Sequence, residues 1–173
     1  MTRLFRYWLD LCLLRAAPQD GPASTFTLGF ALTCYAMVSV LVMTSGYGML
    51  TGARIALLEL ALLAAFVTVL LYLLDKAARI SQTLAAMAGA GSLLGLVAFP
   101  LVLLQGPVTD DGALPLLLSL VWVTLLIWNL AVSAHIMRHA LSTSFAIGLA
   151  VSVLYLLVST QIAMTVFPQQ AGQ

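Results

Sequence analysis

The sequence predicts an all-α polytopic membrane protein, in which five transmembrane helices follow a short interfacial amphipathic helix. Three observations carry this prediction. The chain of 173 residues is 62% hydrophobic and only 8% charged, whereas soluble domains hold roughly 45–50% apolar and about 25% charged residues. So little polar surface cannot cover a water-soluble globule. Second, five apolar runs each reach the ~20 helical residues that cross about 30 Å of hydrocarbon. Third, when those runs are threaded through a bilayer, six of the 7 basic residues fall on one side. The net charge of +1 creates no field that would draw nucleic acid, so the lipid bilayer is the expected partner.

Residues 1–20, "MTRLFRYWLDLCLLRAAPQD", superficially resemble a signal peptide, but Arg6 and Asp10 interrupt the apolar stretch and no small-residue cleavage site follows. On a helix, Leu4, Phe5, Trp8, Leu11 and Cys12 share one face, while Arg3, Arg6 and Asp10 gather on another. This pattern predicts an amphipathic helix lying in the cytoplasmic headgroup layer. A partner-binding helix is the alternative.

Residues 21–173 then form the five-helix bundle. The first span, about 25–46, opens after Pro22 and the capping hydroxyl of Ser24 and closes in "TSGYGMLTG", whose glycines mark a turn. The second, 54–74, ends at "DKAAR". The third, 80–104, stops at "QGPVTDDG". The fourth, 113–136, carries Pro115 in its first turn, where a missing N–H is harmless. The fifth, 141–167, ends before Pro168. Backbone groups in lipid must be satisfied within the protein, and unbroken apolar runs do not alternate as barrel strands do, so the spans are helices.

Direction follows from charge. Arg3, Arg6, Arg15, Lys76, Arg79 and Arg138 lie on one side and Arg54 alone on the other. Basic loops stay cytoplasmic, so the amino terminus is expected inside and the carboxyl terminus outside. Cys12 then lies near the cytoplasmic face and Cys34 within lipid, which argues against a disulfide.

Glu59 is the one carboxylate inside an apolar run, five residues from the outer end of the second span as read above, ~7.5 Å along a helix. Counted in from the same boundary, Ser39, Ser119 and Gln161 lie at similar depth. Pro100 frees the carbonyl of Leu96 near the same level. These groups make a candidate intramembrane polar site. Glu59 reads either as a polar fastener between helices or as a proton- or cation-linked group. No second buried ionisable residue accompanies it, which favours the fastener.

The third span, "AAMAGAGSLLGLVAFP", holds Gly91 and Gly95 as G-x-x-x-G, with Ala88 and Ser92 at the same spacing. Such residues let helix backbones approach, and internal packing is expected ahead of homodimerisation. Deep in the fourth span, Asn129 wants a partner, which Ser133 could supply at i+4. His135 and His139, also i, i+4, could share a metal, but a site needs three or four ligands. No metal and no cofactor are expected. There is no nucleophile–base constellation, phosphate loop or paired carboxylate, so no enzyme is expected either.

A short amphipathic lead ending in a proline, five spans with small loops, and the Gly/Ala-rich third span "QTLAAMAGAGSLLGLVAFPLVLL" with its late proline together resemble the Yip family of Ypt/Rab-interacting membrane proteins, over about residues 18–167. The eukaryotic "DLYGP" stretch is absent, so the resemblance is to the bacterial Yip-domain type. It implies a non-enzymatic protein of the bacterial inner membrane with a cytosolic amino terminus. On this reading the chain is a scaffold or an assembly or trafficking accessory factor, acting through helix–helix contacts with a membrane protein partner or with itself. A small transporter or channel subunit using Glu59 is the alternative.

Overall fold

The computed structural model describes residues 2–104 and 113–168. Among them the secondary structure is helical: α1 (Thr2–Cys12), α2 (Thr25–Tyr47), α3 (Met49–Leu73), α4 (Ile80–Leu104), α5 (Ala113–Leu141) and α6 (Phe145–Val166), with short 3-10 turns at Pro18–Asp20 and Ala77–Arg79. The last five helices are long and apolar enough to cross a membrane.

Helix ends follow local chemistry. Ser24 caps α2, its Oγ accepting the Thr27 N–H at 3.1 Å, and Ser144 caps α6 through the Ile147 N–H at 3.4 Å. The α2–α3 turn is shorter than the glycines of "TSGYGMLTG" suggested. Only Gly48 lies outside both helices, at φ +79°, a left-handed conformation that glycine adopts without steric cost. Gly52, read in the sequence as part of that turn, belongs to α3 and has a different task. A Cβ there would lie 2.5 Å from the backbone of Met43 and Thr44, so its bare backbone lets α2 and α3 touch just beyond the turn. The helix therefore begins five residues earlier than position 54, and Glu59 lies ten residues, ~15 Å, into α3. That is close to the middle of the helix rather than near its end.

At the opposite, basic end, three helices close with the same cap. Leu14, Asp75 and Ser142 take φ of 60°, 56° and 53°. The next N–H then reaches back to the helix, Arg15 to Asp10 O at 2.8 Å, Lys76 to Leu71 O at 2.8 Å and Thr143 to Arg138 O at 2.9 Å. This satisfies carbonyls that the helix leaves unpaired. Arg79 adds charge to one of these ends. Its Nη1 donates to the carbonyls of His139 and Ala140 and to Ser142 Oγ, at 3.2, 2.9 and 2.6 Å, where the negative pole of α5 favours a cation.

The expected break after position 136 does not occur. Ile136, Met137, Ala140 and Leu141 stay on the buried side, so α5 continues to Leu141 and α6 starts only at Phe145. A Cβ on Gly148 would stand 2.4 Å from the Ala134 carbonyl, which shows how closely these two helices cross. The hub is α4. Every residue from Thr83 to Ala90 is buried, as befits a helix covered on all sides. It packs against α2 along its length, with α1, α3 and α5 as further neighbours.

α1 departs from its sequence reading. Three of the five residues on the face expected to meet headgroups are buried in protein, Trp8 at 4%, Leu11 at 0% and Cys12 at 7% exposure, packed on α4 and α5. The amphipathic pattern specifies an apolar neighbour without saying whether it is lipid or another helix. Gly89 provides the neighbour: a Cβ there would lie 2.2 Å from the Trp8 indole. Trp8 also stacks on Phe30, centroids 5.9 Å apart. Trp128 Nε1 donates to the Cys12 carbonyl at 3.0 Å, and a 2.9 Å bond joins His135 Nε2 to the Ala16 carbonyl. Phe5, expected on the same face, remains exposed, as do Leu9 and Leu13.

Burial of this contact leaves a chemical mark. The Cys12 thiol lies 3.7 Å from the Ala90 carbonyl, and burial pushes it from the usual 9.0 up to about 11. Its folded value is the higher one, so its contribution to stability is complete below about pH 9 and is lost as pH rises toward about 11. In a Cys34→Ala background, Cys12 should resist a water-soluble maleimide at mildly alkaline pH, and Trp8→Ala should speed the reaction severalfold. Rapid labelling of the folded parent would contradict the docking of α1.

Candidate carboxylate site

Glu59 stands in the shared wall of two cavities. The first, about 390 Å³, lies between α2, α4 and α5, and meets Glu59 beside Tyr35, Ser39, Gly91, Trp122 and Asn129. The second, about 280 Å³, lies between α2, α3 and α6 toward the Gly48 end, with Tyr47, Ser159, Thr160 and Phe167 among its walls. Met43 is the other residue common to both.

Helical spacing explains the assembly. Tyr35 and Ser39 are i, i+4 on α2, and Trp122 and Asn129 are i, i+7 on α5, so each pair projects from one face. The glycines of α4 bring the helices together at this level. A Cβ on Gly91 would meet the Tyr35 ring at 2.8 Å, and one on Gly95 would meet Val38 Cγ1 at 2.7 Å. Ala88 and Ser92 are buried beside them, Ser92 Oγ donating to the Ala88 carbonyl at 2.7 Å. The small-residue stripe thus packs against α2 and α1 within the chain.

The electrostatics are one-sided. Among the described residues no basic side chain lines either cavity. Nothing among the described residues hydrogen-bonds the Glu59 carboxylate, although Tyr35 lines the first cavity with it. Trp122 Nε1 is buried with no hydrogen-bond partner among the described residues. A carboxylate acting as fastener would be expected to hold partners on neighbouring helices; here it faces open space.

Other expected members lie elsewhere. Ser119 is exposed on α5 and donates to the Pro115 carbonyl in its own helix at 2.9 Å. Gln161 is exposed on α6, its carbonyl accepting from Thr165 Oγ1 at 2.8 Å. Ser119 lies six residues into α5 and Gln161 five from the end of α6, both nearer a helix end than Glu59, ten residues into α3; Ser159 and Thr160 are the polar α6 residues that reach the cavity. Pro100 lies within α4 on an exposed position, outside both linings. Tyr35 was not among the expected members, although its i, i+4 pairing with Ser39 signals a shared face. The imidazoles of His135 and His139 are 4.8 Å apart, and no group of three or more metal-ligating residues gathers among the described residues.

No known protein-family model, curated protein or solved structure matches the chain. The resemblance to the Yip family rests on topology and the quoted residues alone.

Proposed function

We propose that this chain is an integral membrane protein with a cytoplasmic amino terminus, and that it binds a proton or a small cation at Glu59 as a transporter or channel subunit. The observation that carries this reading is Glu59 itself, mid-helix between two cavities and without a hydrogen-bonding partner among the described residues. An ionised carboxylate near the bilayer centre costs roughly 2.5–3.5 kcal/mol. With no basic side chain among the described residues of either lining, a proton or a cation from outside the chain is what can offset that cost. Carboxylates so placed commonly mark ion pathways. A cation would find oxygen donors at Glu59, Ser39, Tyr35 and Asn129 in the first cavity, and at Ser159 and Thr160 in the second.

The test is flux across vesicles containing the purified chain. Under an imposed potential they should take up protons or sodium faster than empty vesicles. Glu59→Gln should reduce uptake to the empty-vesicle rate while leaving thermal stability within about 1 kcal/mol. Equal uptake by the parent and Glu59→Gln would end the proposal.

A second reading, the scaffold acting through helix contacts, draws on Asn129. This amide is exposed in the middle of α5, at a depth where a polar group favours a neighbouring helix. Crosslinking from Asn129 in native membranes should then give one stoichiometric product. Its absence would leave the scaffold reading without support.

A further inference from the structure

A groove of about 950 Å³, larger than either Glu59 cavity and separate from that residue, is framed by α1, α2 and α4. Its chemistry is divided. Arg3 and Arg6 stand along it on α1, and among the described residues no acidic side chain lines it. The remainder is apolar apart from Ser92. Phe30, Cys34 and Met37 follow one another at i, i+4, i+7 on α2, opposite Leu93 and Leu96 on α4. That α2 face runs for about 10 Å. Phe5 and Leu9 of α1 complete it, and Phe5, Met37 and Leu96 are 51%, 69% and 49% exposed. The site exists because Gly89 admits the Trp8 indole. Docked there, α1 holds its two arginines beside a trough formed by helices long and apolar enough to cross a bilayer.

An occupant must therefore be anionic at one end and apolar over at least ~10 Å. A soluble anion would leave the trough bare, and an apolar helix would leave two guanidinium groups without a counter-charge. Guanidinium forks match phosphate oxygens in geometry as well as charge. The volume lies within the ~300–1,000 Å³ of small-molecule sites. We propose that this groove binds one anionic phospholipid, its phosphate held by Arg3 and Arg6 and an acyl chain lying along α2 and α4. The lipid comes from the leaflet at the basic end, and the site is independent of any role of Glu59.

The experiment uses the full chain in nanodiscs of equal parts phosphatidylglycerol and phosphatidylcholine, followed by native mass spectrometry of the lipid retained. The parent should keep one phosphatidylglycerol with about tenfold preference over phosphatidylcholine. Arg3→Gln/Arg6→Gln should remove the preference, and Arg3→Lys/Arg6→Lys should keep most of it. Both arginines are exposed, so the fold should survive these changes, as circular dichroism will show. Cys34→Trp, which fills the trough and spares the charges, should also eject the lipid. Three results would overturn the proposal. One is a parent without preference. Another is preference that survives the double glutamine variant. The third is preference that survives Cys34→Trp in folded protein, which would mean a headgroup on a charged surface and no chain in the groove.

Discussion

Gly52→Val should disrupt the α2–α3 pair more than any other single methyl-scale change near the turn. The new Cβ would begin 2.5 Å from the backbone of Met43 and Thr44, and main-chain atoms in a helix cannot rotate aside as a side chain can. Overpacking ordinarily costs about 1–3 kcal/mol; with backbone on the opposing side the loss should reach the top of that range or exceed it. In a thermal-unfolding measurement in detergent, Gly52→Ala should already lower the midpoint and Gly52→Val should leave little folded protein. Gly29 supplies the control. Nothing lies within 4 Å of a Cβ at that position, so Gly29→Ala should be neutral or stabilising by up to ~1 kcal/mol, the helix-propensity difference. If both alanine variants moved the midpoint alike, the close approach at Gly52 would be wrong.

Gly89→Ala should have the second largest effect, and a different partner. Its Cβ would meet the Trp8 indole at 2.2 Å, and the indole cannot retreat freely while stacked on Phe30. The expected outcome is release of α1 from α4, read as faster proteolysis after Arg3 and Arg6 and as a shift in tryptophan emission. Trp8→Ala removes the clash along with the packing. Combining the two changes should therefore cost less than the sum of each alone, with a coupling of about 1–3 kcal/mol. Strict additivity would mean that Trp8 does not occupy the notch at Gly89. Loss of the α1 contact also bears on the lipid groove, whose arginines are carried by the same helix.

The spans were legible because length and apolar character are properties of a single helix. The faces were harder to read. For α1, the spacing of Trp8, Leu11 and Cys12 identified the buried side, but an apolar stripe is indifferent to whether lipid or Gly89 covers it. For the turn at Gly48, three glycines in nine residues looked alike, although one turns the chain and another, Gly52, packs it. That ambiguity carried over to Glu59, whose depth was counted from a boundary five residues too late. Gln161 and Ser119 show the remaining limit. The late boundary for α3 set them level with Glu59, which lies deeper, and the side they present depends on how each helix is rotated against its neighbours. Rotation is set by close approaches such as Gly91 on Tyr35 and Gly95 on Val38, contacts between segments far apart in the chain.

The glycine contacts at Gly52 and Gly148 also divide the molecule mechanically. α2 and α3 are clasped at one end by a one-residue turn, and α5 and α6 are clasped where Gly148 meets the Ala134 carbonyl. Each hairpin is a prefabricated lever of fixed internal spacing. The first Glu59 cavity takes its walls from α2 and Glu59 of one hairpin, α5 of the other, and α4, so its width follows the spacing of the two levers about α4. Side-chain size along α4 at Leu94 and Ala98, which line the same cavity, then acts as a shim that sets how wide the space beside the carboxylate can be.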